Sequence, residues 1–338
     1  MTLWLILPLL LLLAWLLTGW LRRYALARSI IDVPNARSSH TVPTPRGGGV
    51  AIVLTFLASV PVLASQALLD WSLAWALLGA GSGIAILGFL DDHGHIAARW
   101  RLLGHFTGAA WVLFWLGGLP PLQVFGHELA LGWVGHVLAL FYLVWLLNLY
   151  NFMDGIDGLA SIEAICACLG GALLYWLSGH DSEAWGAIAL ACAVAGFLIW
   201  NFPPARIFMG DAGSGFLGIA LGILSLQAAW VDSSLFAAWL ILLGVFVVDA
   251  TVTLVRRLLR GEKVYEAHRS HGYQFASRQF GRHMPVTLAV LAINVVWLLP
   301  LACAVALGKL DSVVALLIAY APLVLLAIKF NAGQAEHR

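Results

Sequence analysis

Asn151-Phe-Met-Asp154-Gly-Ile-Asp157-Gly158 lies between two apolar runs, His136 to Tyr150 before it and a second that begins near Leu159. An ionisable group at hydrocarbon depth costs ~2.5–3.5 kcal/mol even on the lenient insertion scale. Two carboxylates and an amide at the mouth of a membrane helix therefore call for a function. Working outward, 62% of the 338 residues are apolar and only 10% are charged, where a soluble domain carries about a quarter charged residues. The chain reads as an all-α polytopic integral membrane protein.

Spans need ~20 apolar residues, and breaks fall at Gly, Pro and charge clusters. About eleven transmembrane helices follow, at 2–20, 48–66, 72–90, 102–119, 132–150, 159–178, 185–201, 214–230, 235–255, 285–307 and 311–328. The first run has no small-residue cleavage site and reads as a retained helix. Of the eighteen Lys and Arg, all but Lys309 fall on one side of this arrangement. The positive-inside rule then makes the N-terminus periplasmic and the C-terminus cytoplasmic. The cytoplasmic loops are 21–47, 91–101, 151–158, 202–213 and 256–284, and the chain is expected to form a single transmembrane domain over 1–338. Net charge is +1, which offers no basic excess, and nucleic acid is not expected as a partner. Cys166, Cys168, Cys192 and Cys303 all lie in apolar runs and read as small core residues.

Four further clusters sit at the cytoplasmic ends of these runs. Asp91-Asp92-His93-Gly-His95 closes the third. Adjacent carboxylates repel unless a cation intervenes, and Mg²⁺ bound through one or two carboxylates plus substrate phosphate suits them. A solvated turn would carry the same residues. In the central stretch, Asn151, Asp154 and Asp157 are spaced to lie near one helical face, although a single Asp there could simply cap free amides. Phe208-Met-Gly-Asp211-Ala-Gly-Ser214-Gly enters the eighth span. Its small residues expose helix-N-terminal amides, a ready phosphate site, and Asp211 would repel that phosphate unless a metal bridged them. Phe208 can stack on a base or anchor at the interface.

His268-Arg269-Ser-His271 in the last large loop fits a phosphate clamp better than a zinc site, which wants further ligands nearby. An ordinary basic loop facing anionic lipid is the plain alternative. The first loop, Asp32-Val-Pro-Asn35-Ala-Arg37-Ser-Ser-His40 followed by Pro45-Arg46-Gly-Gly-Gly49, adds His40 and Arg46 to the same side. Asp249 and Glu163 are buried acids for which a structural hydrogen bond is as good a reading as catalysis. Carboxylates for a metal, amides and cations for phosphates and an aromatic for a base converge on one membrane interface. That set suits phosphoryl transfer, where positioning and charge neutralisation do most of the catalysis.

From Asp32 to Tyr273 the sequence resembles the polyprenyl-phosphate N-acetylhexosamine-1-phosphate transferases, glycosyltransferase family 4. The motifs that carry the resemblance are Asp91-Asp92, Asn151-x-x-Asp154-Gly-x-Asp157-Gly, Phe208-Met-Gly-Asp211-x-Gly-Ser214 and the histidine pair. Asp-Val-Pro-Asn-x-Arg-Ser-Ser-His, Pro-Arg-Gly-Gly-Gly and His-Arg-Ser-His-Gly-Tyr-Gln look most like the O-antigen-initiating bacterial branch. The resemblance implies an N-acetylhexosamine-1-phosphate passed from a UDP-sugar to undecaprenyl phosphate in the bacterial inner membrane, with Mg²⁺, or Mn²⁺ in its place, as cofactor. It implies Asp211 as metal ligand, and Asp91 and Asp92 as metal ligands or as base toward the lipid phosphate. It further implies Asn151, Asp154 and Asp157 as nucleotide-sugar contacts, Phe208 on the uracil, and His268 and His271 facing the diphosphate. His40, Arg46 and Arg269 are the candidate cations for substrate. The superfamily includes dimers, so a homodimer is an open expectation. Two alternatives stand beside this reading. The lipid-I-forming pentapeptide transferase is disfavoured because that enzyme carries three successive histidines. A nucleotide-sugar or anion transporter is disfavoured because the acids cluster at helix ends and no inverted halves are visible.

Overall fold

A computed structural model describes residues 3–34, 39–94, 96–262 and 268–335. Asn35, Arg37 and His95, named in the sequence motifs above, lie outside the described residues. Each of the eleven expected segments coincides with helix. The chain runs α1 (Ile6–Ala27), α2 (Val50–Ser65), α3 (Trp71–His93), α4 (Ala98–Leu116), α5 (Gly132–Met153), α6 (Leu159–Leu177) and α7 (Trp185–Asn201). It continues as α8 (Asp211–Val231), α9 (Ser233–Leu242), α10 (Gly244–Leu259), α11 (Gly272–Phe280), α12 (Met284–Ile293), α13 (Leu299–Ala306) and α14 (Ser312–Lys329). A π-helical turn, Asn294–Leu298, joins α12 to α13 into one apolar helix.

Among the described residues, eight helices are long and apolar enough to cross a membrane. The protein is a multi-pass membrane protein. Two expected spans are weaker: α2 has only 16 residues, and α4 carries Arg99, Arg101 and His105 in its first turns. A third, 235–255, is broken into α9 and α10, bent by 71°. The break is stabilised from outside, because the Tyr320 hydroxyl donates to the Leu240 carbonyl at 2.7 Å near the end of α9. Loops are shorter than the sequence suggested. α1 continues through Arg22 and Arg23, and only residues 94–97 separate α3 from α4. The loop after α4 holds a hairpin, β3 (Leu122–Val124) with β4 (His127–Leu129), that the apolar pattern did not announce. A second small pair, β1 (Ile31–Asp32) with β2 (Thr44–Pro45), folds the first loop back on itself.

The centre of the bundle is α8, buried along almost its whole length and packed against α3, α5 and α9. Two glycines set how closely its partners approach. A Cβ at Gly88 of α3 would stand 2.5 Å from the Asp211 carbonyl oxygen, and one at Gly218 of α8 would stand 2.7 Å from the Leu147 Cα of α5. Only glycine permits such backbone contact. The result is that the ends of α3 and α5 both lie against the start of α8.

Candidate active site

The catalytic candidates are placed by those helix ends. α5 stops at Met153, the chain turns through Asp154–Gly158, and α6 begins at Leu159, so the central stretch is a turn and not one helical face. Gly158, at φ +73°, takes the left-handed conformation that starts α6, one that glycine adopts without steric cost. Its amide donates to Asn201 Oδ1 at 3.0 Å, and Asn201 Nδ2 donates to the Ile207 carbonyl at 3.0 Å. Residues 207–209 are held against the first loop: Phe208 N donates to Pro45 O at 2.8 Å, and Gly48 N to Phe208 O at 2.9 Å.

A chamber of about 420 Å³ opens between these segments. Of the residues the sequence singled out, His40, Arg46, Asp92, Asn151, Asp154, Asp157, Phe208 and Asp211 line it. Asn151 Nδ2 donates to Asp211 Oδ1 at 3.1 Å and to Ser214 Oγ at 3.0 Å. Asp92 is 8% exposed; its Oδ2 accepts from the Ala212 amide at 3.4 Å at the N-terminus of α8, and Arg46 donates to its backbone carbonyl. The His40 ring meets Phe208 edge-on with centroids 4.8 Å apart. Burial, then the charges of Asp211, Asp92 and Asp157, push the Asp154 carboxyl well above the ordinary carboxylate range.

Asp91 turns away from its neighbour. It pairs with Arg101 Nη1 at 2.5 Å and accepts from Ile96 N at 2.9 Å. It lines a second cavity of about 160 Å³ with Arg101, His105, Asn148 and several aliphatic side chains. Asn151 and Asp211 border both cavities and stand as the partition between them.

The expected clamp of His268, Arg269 and His271 stands apart from the chamber wall. His271 is 3% exposed, with Nδ1 donating to Asp249 Oδ1 at 3.3 Å. His268 stacks on it with centroids 4.9 Å apart and faces the Ser270 hydroxyl at 2.9 Å. Burial, His271 and Arg257 lower the His268 imidazole to about 3. The segment is held away from the chamber by Asp249, a buried acid in an apolar helix that draws its hydrogen bonds from it. Gly272 N and Tyr273 N both donate to it at 2.9 Å. What the histidine segment contributes to the chamber is Gln274, one turn along α11. Gln274 and His283 are wall residues that the sequence reading missed. Gln274 closes the His-Arg-Ser-His-Gly-Tyr-Gln motif but was given no role, and no motif marks His283, about twelve residues beyond His271.

The donor set suits a hard divalent cation. Among the described residues no three His, Cys, Asp or Glu side chains gather into a protein-built cage. Mg²⁺ does not require one, since it keeps several waters and takes one or two carboxylates plus substrate phosphates. Asp211 and Asp92 offer two carboxylates at the amide-rich start of α8.

Residues 74–229, from α3 to α8, match the model of glycosyl transferase family 4. An undecaprenyl-phosphate N-acetylglucosaminyl 1-phosphate transferase of Bacillus subtilis is 31% identical over 264 residues, covering 76% of this chain and 72% of the relative. The chain belongs to this family. A decaprenyl-phosphate N-acetylglucosaminephosphotransferase of Mycolicibacterium smegmatis is 32% identical over 75% of this chain and 70% of its own length. A phospho-N-acetylmuramoyl-pentapeptide-transferase of Bacillus licheniformis is 30% identical over 75% of this chain and 81% of its own. The matched region contains every carboxylate of the two cavities except Asp32.

Proposed function

We propose that the protein transfers an N-acetylhexosamine-1-phosphate from a UDP-sugar to undecaprenyl phosphate, releasing UMP and starting a cell-surface glycan of the O-antigen kind. The observation that carries this is the partition: Asn151 and Asp211 divide a polar chamber from a smaller cavity that is part basic, part aliphatic. Two reactants of unlike chemistry can meet there. The nucleotide-sugar suits the larger chamber, with Phe208 and His40 against the base and Arg46 and the α8 amides toward the diphosphate. The head of the lipid phosphate suits the smaller cavity, where Arg101 offers a cation beside Leu87, Leu102 and Leu147.

Asp211 and Asp92 would hold Mg²⁺, or Mn²⁺ in its place. When bound, the ion supplies neutralisation of the charge that phosphates bring to two carboxylates. Asn151 orients the Asp211 carboxylate through its amide. Asp154 lines the same chamber beside Asp157 and Asp211, facing the donor. An oxygen of the lipid phosphate attacks the sugar-bearing phosphorus, the bond from that phosphorus to the bridging oxygen breaks, and UMP departs with the bond pair. A phosphate monoester has its second pKa near 6, so the nucleophile is largely ionised at neutral pH and Asp91 need not act as a strong base. The bacterial relatives support an inner-membrane setting, and the one-sided placement of Lys and Arg supports a site facing the cytoplasm.

The test is UMP release by purified protein with undecaprenyl phosphate and Mg²⁺, using UDP-GlcNAc, UDP-GalNAc, UDP-N-acetylfucosamine, UDP-N-acetylquinovosamine and UDP-MurNAc-pentapeptide in turn. Turnover of one simple N-acetylhexosamine donor is expected. Turnover of the pentapeptide donor alone would move the protein to lipid I synthesis, while transport into vesicles without UMP would overturn the transferase reading.

A further inference from the structure

Next to the main chamber lies a further opening of about 430 Å³, and the two share Ser39, His40, Asp157, Phe208 and His283 as their common wall. One side chain joins three parts of that wall. His283 Nδ1 stands 3.1 Å from Asp157 Oδ1, and His283 Nε2 stands 2.9 Å from the Ser39 carbonyl oxygen. The Asp157 backbone N–H also donates to His283 Nδ1 at 3.3 Å, so both ring nitrogens are engaged, Nδ1 by Asp157 and Nε2 by the Ser39 carbonyl. Burial works against the ring's charge, yet the hydrogen bond and charge of Asp157, with the Ser39 carbonyl, raise its affinity for the proton above the usual histidine range.

Asp157 is committed in the same way. Its Oδ1 faces the imidazole, its Oδ2 accepts from Ala205 N at 3.0 Å, and its backbone carbonyl accepts from Thr287 Oγ1 at 2.9 Å. A carboxylate engaged at both oxygens has little left for a substrate. Ser39, at the other end of the bridge, immediately precedes His40, whose ring packs on Phe208.

We infer that His283 is a positioning residue: it staples the catalytic turn to the first loop through Asp157 and Ser39, and so holds His40 and Phe208 where the donor's base is bound. The kinetic consequence rests on the transferase reading; the staple itself does not.

The experiment uses the full-length protein with His283→Ala and His283→Gln. Hydrogen exchange in the absence of substrate should speed up about tenfold at both 39–46 and 154–158 in His283→Ala, the effect of losing hydrogen bonds of ordinary strength. His283→Gln, which keeps one donor, should restore part of the protection. In the UMP assay KM for the nucleotide-sugar should rise about tenfold on the same grounds, with kcat and the KM for undecaprenyl phosphate little changed. Adding Asp157→Asn to His283→Ala should cost little more, since both break one bridge. Unchanged exchange in both segments would overturn the staple. So would a uniform loss of protection across the helices with kcat and both KM values failing together, which marks a purely structural residue. If wild-type protein turns over no donor, the transferase reading fails, and the exchange result still decides the staple.

Discussion

Asp211 and Asp249 are both acids set in apolar helices beside a polar loop, and the structure uses them in opposite ways. Asp249 accepts from Thr253 Oγ1, His271 Nδ1, Gly272 N and Tyr273 N. Four donors saturate the carboxylate and anchor the start of α11. Asp211 has the Asn151 amide on Oδ1 and otherwise borders open cavity on two sides. A buried carboxylate needs compensation. Where the fold supplies it in full, the acid is scaffold; where the fold leaves it short beside a cavity, a cation or substrate can complete it. Residue type is the same in both places, and only the hydrogen-bond inventory separates them.

The comparison is broken most directly by removing each charge. Asp211→Asn should lower turnover by a factor of about 10³ or more, the scale of losing a main electrostatic group in a transition state, with the melting temperature unchanged. Wild-type turnover in that variant would sink the metal assignment. Chelation by EDTA should produce a comparable loss, reversed by Mg²⁺ or Mn²⁺; full activity in EDTA would argue that Asp211 and Asp92 serve some other end. Asp249→Ala should show the reverse pattern. Three or four stranded donors cost roughly 3 kcal/mol or more, so a clear fall in thermal stability is expected before any specific kinetic defect. If Asp249→Ala melts like wild type yet is inactive, the division between scaffold and working acid is wrong.

A smaller effect is expected at the chamber wall. Phe208→Ala should raise the donor KM about tenfold, as for one base–aromatic stack worth ~1–3 kcal/mol, and leave the acceptor KM alone. The smallest concerns His268, whose folded pKa is depressed to about 3 from 6.5. Unfolded chain binds the proton first, so this residue's contribution to stability is present above 6.5 and is lost as pH falls toward 3. His268→Gln should therefore flatten the acid side of the stability profile in that window. An unaltered profile would mean that burial does not hold the ring neutral.

Much of this was legible before any fold was known. All eleven apolar runs fall on helix, because hydrocarbon length is a local property of the chain, and among the described residues eight helices are long and apolar enough to span a membrane. The polar breaks named Asp92, Asn151, Asp154, Phe208 and Asp211, because ionisable groups at span ends are costly enough to stand out. Less legible was the break between α9 and α10, near which Tyr320, far along the chain, donates to the Leu240 carbonyl. The expected pairing of Asp91 with Asp92 at one metal also dissolved, since successive residues on a helix diverge by about 100° and Asp91 meets Arg101 instead. The histidine pair read as a phosphate clamp from its composition, and became a counterpart of Asp249 once burial was known.

By itself, then, the amino-acid order determined a membrane-spanning helical chain with its chemistry gathered at one end of the helices, for periodicity, span length and charge placement are all read within one segment. Which groups share a cavity was decided only by tertiary structure. Asn151 meets Asp211 across 60 residues and Asp92 meets the start of α8 across 120, through glycine contacts whose partners no local pattern specifies. The same holds for which acids are saturated and which are left open, since a hydrogen bond between distant segments exists only after they have packed.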